Sequence, residues 1–273
     1  MPLKQYVTNN EAVLQLSVEN KLINAAQSES LKYSEFIDSV EQNKSIGINI
    51  RSELIFDIIN TGFYLNIFQL GWTSEKIKQK YNNAWADGID YYSRLLIFLE
   101  LFDANKLIKY CSINTGNLGL RLNEFGGGHT YVVLKNEFVE QNSALFNIYC
   151  LAEYSLSYFD DNLDFLIEKF QAEISSFSNV EDLAFLKHYH QILSTDPSNF
   201  KDLVAGGFNV IEVLVFNEIK ISDIELIRIS KRTYDSLNTK DFKNLSDAQK
   251  YRYLNLKKII EKSDELNIQI NFI

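Results

Sequence analysis

Only two prolines, Pro2 and Pro197, occur in this chain of 273 residues. Proline removes a backbone donor and clashes with the preceding helical turn, so a chain almost free of it is open to long, uninterrupted helices. The apolar residues repeat with the matching period. Ile50, Leu54 and Ile58 recur at i, i+4, i+8 and lead on to Tyr64, Ile67 and Phe68; Ile77, Tyr81 and Trp85 do the same and lead on to Ile89, Tyr92, Leu96, Phe98 and Leu99. Thr73 and Ser74, ahead of Glu75, supply an N-cap for the second run. Further helices are expected at about 142–158, 160–176, 180–194, 199–218, 222–237 and 246–263, with Asn179, Asp196, Ser222 and Ser246 as their caps. The expected fold class is therefore all-α, a multi-helix bundle of nine or ten helices.

One segment breaks the pattern. TGNLGLRLNEFGGGHTYVVL, from Thr115 to Leu134, holds five of the eleven glycines, Gly116, Gly119 and Gly126 to Gly128. Glycines so dense interrupt a helix, which makes 115–134 a Gly-rich hinge between an N-terminal helical domain, 1–114, and a C-terminal helical domain, 135–273. TYVVL has the composition of a short strand, but with no second strand evident it reads as loop or an irregular helix start. GGGHT lacks the Lys and Ser/Thr spacing of a phosphate-binding loop and has no strand ahead of it.

Length and composition suit a soluble chain with a core of its own. No apolar run approaches the roughly 18 to 20 residues that span a bilayer, and the first residues show no basic start followed by an apolar segment. The expectation is a cytoplasmic protein with no membrane partner. Cys111 and Cys150 lack a C-x-x-C arrangement and are expected to be small buried apolar residues.

A net charge of −9 argues against direct nucleic-acid binding, which relies on Lys and Arg to neutralise phosphates. The charge is also uneven. Residues 1–125 carry 14 acids and 12 bases, and residues 126–273 carry 22 acids and 15 bases. Between Glu153 and Asp182 alone there are 8 acids against Lys169, a net charge of −7 in 30 residues.

At the centre of that field lies FDDNLDFLIEKF, Phe159 to Phe170. Its D-D-x-x-D spacing can chelate magnesium through Asp160, Asp161 and Asp164, and on a helix Asp161, Asp164 and Glu168 share one side. All-α isoprenoid synthases use such a motif, and the chain resembles them also in Asn217, with Glu225 eight residues on, and in Arg252-Tyr253. Their second metal motif, however, wants Ser or Thr four residues after the Asn, where this chain has Ile221 with Ser222 one place out. A prenyl-chain synthase would need a second D-D-x-x-D, which is missing. The same letters also fit a solvated helix, because Phe159, Leu163, Ile167 and Phe170 form an apolar stripe and the aspartates fill the remaining face and first turn. His188 and His190 are two apart and point away from each other on a helix, and His129 sits alone in its glycine loop. No catalytic residue, cofactor or metal site is expected from them.

FDIINTGFYLNIFQLGWTSEKIKQKYNNAWADGIDYYSRLLIFLELFDANKLIKY, Phe56 to Tyr110, resembles the N-terminal half of the PoNi-type immunity proteins, which neutralise polymorphic DNase toxins in bacterial competition. The likeness rests on an apolar helix ending at Gly71-Trp72, a helix opening T-S-E-K-I, the aromatic run Tyr91 to Phe102 and the turn Phe102-Asp103-Ala104. NFKDLVAGGFNVIEVLVFNEIKISDIEL, Asn199 to Leu226, is similar to that family's C-terminal half, with Phe208 and Glu212 in place of its aromatic and acidic pair. The resemblance implies a cognate basic nuclease toxin as partner and inhibition by occlusion. Carboxylates would stand where phosphates go, with Glu153, Asp160, Asp161, Asp164 and Glu168 as the acidic surface and Tyr154 and Tyr158 as aromatic anchors.

Overall fold

The computed structural model describes residues 3–50, 52–65, 69, 109–115, 130–146, 174–176, 180–204 and 211–273. Ten strands run through them: β1 (Ser45–Asn49), β2 (Phe63–Tyr64), β3 (Lys109–Asn114), β4 (Thr130–Leu134), β5 (Ser143–Phe146), β6 (Ile174–Ser176), β7 (Glu212–Val215), β8 (Ile219–Lys220), β9 (Ile224–Ile229) and β10 (Gln269–Phe272). Eight form one sheet in the order β10-β9-β4-β1-β3-β7-β5-β6, and β2 with β8 makes a small second sheet. All pairings are antiparallel except that of β9 with β10, which is parallel. The all-α helical bundle is thereby corrected to an α/β fold built on a mixed sheet.

The correction has a physical cause. TYVVL is β4, buried at all five positions near the middle of the sheet between β1 and β9. A strand covered on both faces shows no period of two, and its partners lie far away in sequence, so local periodicity cannot reveal the pairing. The helices expected at 142–158 and 160–176 instead begin and end as β5 and β6, and that at 199–218 opens as a 3-10 turn (Pro197–Asp202) and continues as β7. The one expected at 222–237 divides into β9 and a short helix.

Seven α-helices are described: α1 (Leu3–Ser28), α2 (Ser30–Asn43), α3 (Ser52–Thr61), α4 (Asn136–Asn142), α5 (Val180–Ser194), α6 (Lys231–Asn238) and α7 (Asp247–Leu266). The expected helices 180–194 and 246–263 are α5 and α7. Ser246 caps α7 in a reciprocal pair with Gln249, at 3.3 and 3.1 Å. Asp196 caps the 3-10 turn, accepting from the Ser198 amide at 3.0 Å. Ser222 lies inside the 3-10 turn Ile221–Asp223, and Ser230 caps α6 through the Thr233 amide. Helix α3 stops at Gly62, whose φ of 81° is the left-handed conformation that suits glycine and lets its amide reach the Ile58 carbonyl at 2.8 Å. Asn179 and the helix expected from Ile77 to Leu99 lie outside the described residues.

One face of the sheet presents Ile46 and Ile48, Cys111 and Ile113, Val132 and Leu134, Val213 and Val215, and Ile227 and Ile229. These pack with Phe36 and Val40 of α2, Ile55 and Ile58 of α3, Leu183 and Phe185 of α5, and Leu256 and Ile259 of α7 into a single core. Phe36 stands edge-on to Phe185 at 5.9 Å and to Phe200 at 5.6 Å. Strands from 1–114, from 115–134 and from 135–273 thus share one sheet, with β4 contributed by the Gly-rich segment. Gly116, Gly119, Gly126 to Gly128 and His129 lie outside the described residues. Among the described residues no helix is long and apolar enough to cross a membrane.

Candidate functional site

Glu153, Tyr154, Tyr158, Asp160, Asp161, Asp164 and Glu168 lie outside the described residues, but both ends of the segment that carries them are placed. β5 and β6 pair antiparallel through Ala144 with Ser176, Leu145 with Ser175 and Phe146 with Ile174. The chain therefore leaves β5 at Phe146 and enters β6, alongside it, at Ile174, β6 being the outermost strand of that side among the described residues. Residues 147–173 are the segment that joins these two paired strands. It carries Glu153, Asp160, Asp161, Asp164, Glu168 and Glu173 against Lys169, a net charge of −5.

The last two acids of the cluster face inward. Glu181 and Asp182 open α5, where carboxylates favour the positive end of the helix dipole. Glu181 pairs with Lys44, and Asp182 accepts the Tyr33 hydroxyl at 2.7 Å. Burial, then the hydrogen bond to Asp182, pushes the Tyr33 phenol well above its ordinary range, so it remains a donor. At the other end of α5, Lys32 donates to the Ile192 and Leu193 carbonyls at 3.2 and 2.5 Å. α5 is thus tied to α2 near both of its ends.

The second face of the sheet carries a polar cluster that periodicity passed over. Register puts Ser45, Gly47 and Asn49 of β1, Ser112 and Asn114 of β3, Tyr131 of β4, Glu212 of β7 and Arg228 of β9 on this face. Asn114 and Tyr131 are fully buried, and Ser45, Ser112 and Glu212 nearly so. Tyr131 lies across β1 at Gly47, which has no side chain to block it, and donates its hydroxyl to the Ser112 carbonyl at 3.0 Å. The Arg228 guanidinium sits 5.8 Å from the Tyr131 ring centre and donates to Ser45 Oγ at 3.0 Å, and Ser45 Oγ in turn donates to the Asn114 carbonyl at 3.3 Å. The sequence signal was the alternation in S-I-G-I-N, five residues of period two with the polar and small ones on one side.

Burial sets the chemistry of these groups. It pushes the Tyr131 phenol and the Cys111 thiol far above their ordinary ranges, so both stay protonated at neutral pH, and it lowers the Arg228 guanidinium. The cluster therefore locks β4, β1, β3 and β9 together rather than presenting an activated nucleophile. Replacing Tyr131 with Phe keeps the ring over Gly47 and removes only the hydroxyl that bonds Ser112 and Ser45. The expected loss is about 1–2 kcal/mol, read from urea unfolding, with the slope of the transition unchanged.

Residues singled out for other chemistry are dispersed. His188 is buried on α5 with Nδ1 2.8 Å from Gln191 Oε1, and burial lowers its pKa; His190 is exposed. Asn217 lies in the turn between β7 and β8, hydrogen-bonded to Asn142 at 3.0 Å, and Glu225 lies on β9, so the helical spacing that a second metal motif needs is absent between them. Among the described residues no group of His, Cys, Asp or Glu is placed to hold a metal ion. Comparison with protein-family models and with curated proteins gives no match.

Proposed function

We propose that this chain is a binding and inhibitory protein, an immunity protein that occludes a cognate basic nuclease toxin in the cytoplasm. The observation that carries the reading is the placement of the charge. Six acids lie in one segment, 147–173, whose two ends continue into adjacent, paired strands of the sheet. Binding segments held at both ends by a rigid scaffold lose less freedom on association. A nuclease cleft grips phosphates with Lys and Arg, so these carboxylates would compete for that site and be steered to it by long-range attraction. Tyr154 and Tyr158 would supply aromatic anchors beside the acids.

The test is association kinetics against a basic nuclease toxin, sought first in the genes beside this one. Reversing Asp161, Asp164 and Glu168 to Lys is expected to lower the on-rate about tenfold at low salt and to flatten its salt dependence. An unchanged on-rate would remove residues 161–168 from the interface. A thermal shift with magnesium plus diphosphate, abolished by Asp160→Asn and Asp164→Asn, would replace this reading with an isoprenoid-type enzyme.

A further inference from the structure

The net charge of −9 hides a basic unit near the C-terminus. Residues 231–258, which form α6, a 3-10 turn (Phe242–Asn244) and most of α7, hold 8 bases and 3 acids, a net charge of +5 that leaves −14 on the rest of the chain. Two of those acids are engaged locally: Asp241 caps the 3-10 turn through the Lys243 amide at 3.1 Å, and Asp247 pairs with Lys250 at 3.6 Å. Lys231, Lys243 and Lys257 are exposed and form no ion pair among the described residues. Aromatic rings alternate with these cations. The Tyr253 hydroxyl donates to Asn238 Oδ1 at 2.8 Å, which ties α7 to the end of α6 one turn after Tyr234. Lys257 Nζ lies 4.9 Å from the Tyr253 ring centre, and Phe242, 41% exposed, packs against the same ring at 6.2 Å. Tyr234 in turn packs against Phe272, 42% exposed, at 5.0 Å. Lys231 stands one turn before Tyr234, and Lys243 follows Phe242 directly.

We infer that this row, Lys231, Tyr234, Lys257, Tyr253, Phe242 and Lys243, binds single-stranded nucleic acid, with the lysines on phosphates and bases stacked on the exposed rings. Each element of the row matches one part of that ligand. Ammonium groups neutralise the backbone, and every base offers a flat face to an aromatic ring whatever its sequence. A duplex presents the same phosphates but keeps its base faces stacked inside, so it would use the lysines and leave the rings idle. An acidic protein segment would do the same. A membrane would take up aliphatic side chains, and the exposed leucines of α7, Leu254 and Leu266, are turned about 100° and 140° away from Tyr253 around the helix. Residues 147–173 take no part in this surface, so it stands or falls independently of the toxin reading.

Fluorescence anisotropy of labelled oligo(dT) and oligo(U) of about 20 nucleotides, titrated with the full chain in about 50 mM salt, tests this. A Kd of about 10–100 µM is expected for either, with a duplex of the same length bound at least about fivefold more weakly. Lys243→Gln combined with Lys257→Gln is expected to weaken binding about tenfold and to flatten the slope of log K against log salt by about 1.4, and Phe242→Ala to weaken it about fivefold with the slope unchanged. All three side chains are exposed, so both variants are expected to melt with the wild type. No binding to either oligonucleotide up to about 500 µM overturns the inference, as does a duplex bound as tightly as single strand or an affinity unchanged in either variant. Binding to vesicles of phosphatidylcholine and phosphatidylserine without binding to oligonucleotide overturns it too, and gives the surface to a membrane.

Discussion

Replacing Gly47 with alanine is expected to cost about 3 kcal/mol or more, enough to leave a marginally stable domain largely unfolded at 37 °C. A Cβ at this position would lie 2.0 Å from the Val132 carbonyl oxygen and 2.8 Å from two atoms of the Tyr131 ring. A tyrosine ring can rotate away; a carbonyl within a β-ladder cannot move without breaking β1 from β4. Two variants separate the causes. Tyr131→Ala removes the ring contact, so Gly47→Ala measured in that background loses only the ring's share of its cost. If the double variant recovers nearly all of the loss, the Tyr131 ring and not the Val132 carbonyl is the obstacle. Chemical denaturation gives the free energies, and soluble yield of the single variant is a first readout.

Gly47 also shows what could and could not be read beforehand. α5 and α7 were legible because their apolar residues keep helical spacing and, at α7, Ser246 and Gln249 form a capping pair readable from the sequence. The sheet was hidden by its own burial. TYVVL has no polar side to betray a strand, and the pairing of β4 with β1 and β9 joins segments with no local relation. Where a strand does alternate, as in S-I-G-I-N, the run is too short to outweigh neighbouring helical repeats. The acidic segment was legible as charge, and what the sheet adds is the pairing of its two flanks, since nothing in the letters ties Phe146 to Ile174. The same geometry withdraws Glu181 and Asp182 from the acidic surface by pairing them with Lys44 and Tyr33.

Lys109 had no sequence signal at all, and its replacement by methionine is expected to stabilise the fold by about 3 kcal/mol at pH 7. It opens β3 on the helix-covered face, opposite Val215 and in line with Cys111 and Ile113, and only 1% of its surface is exposed. The ammonium donates to Gln69 Oε1 at 2.8 Å. Burial nevertheless lowers its pKa to about 8, against the smaller opposing pull of Glu218. The sign follows from proton counts. Below pH 8 the lysine is charged in both the folded and unfolded chain, and the folded state bears the full cost of desolvating it. Between pH 8 and about 10.5 the folded chain has lost this proton while the unfolded chain still binds it, so the cost shrinks as pH rises and vanishes above that window. Methionine, of similar length and uncharged, has no such cost at any pH. The gap between Lys109→Met and wild type should therefore be widest at pH 7 and close by about pH 10.5. Tyr33, Tyr131 and Cys111, whose pKa values are raised by burial, pull stability down over the same range in both proteins and largely cancel in the comparison. A gap that persists unchanged to high pH would place its origin in packing around β3 rather than in the buried charge.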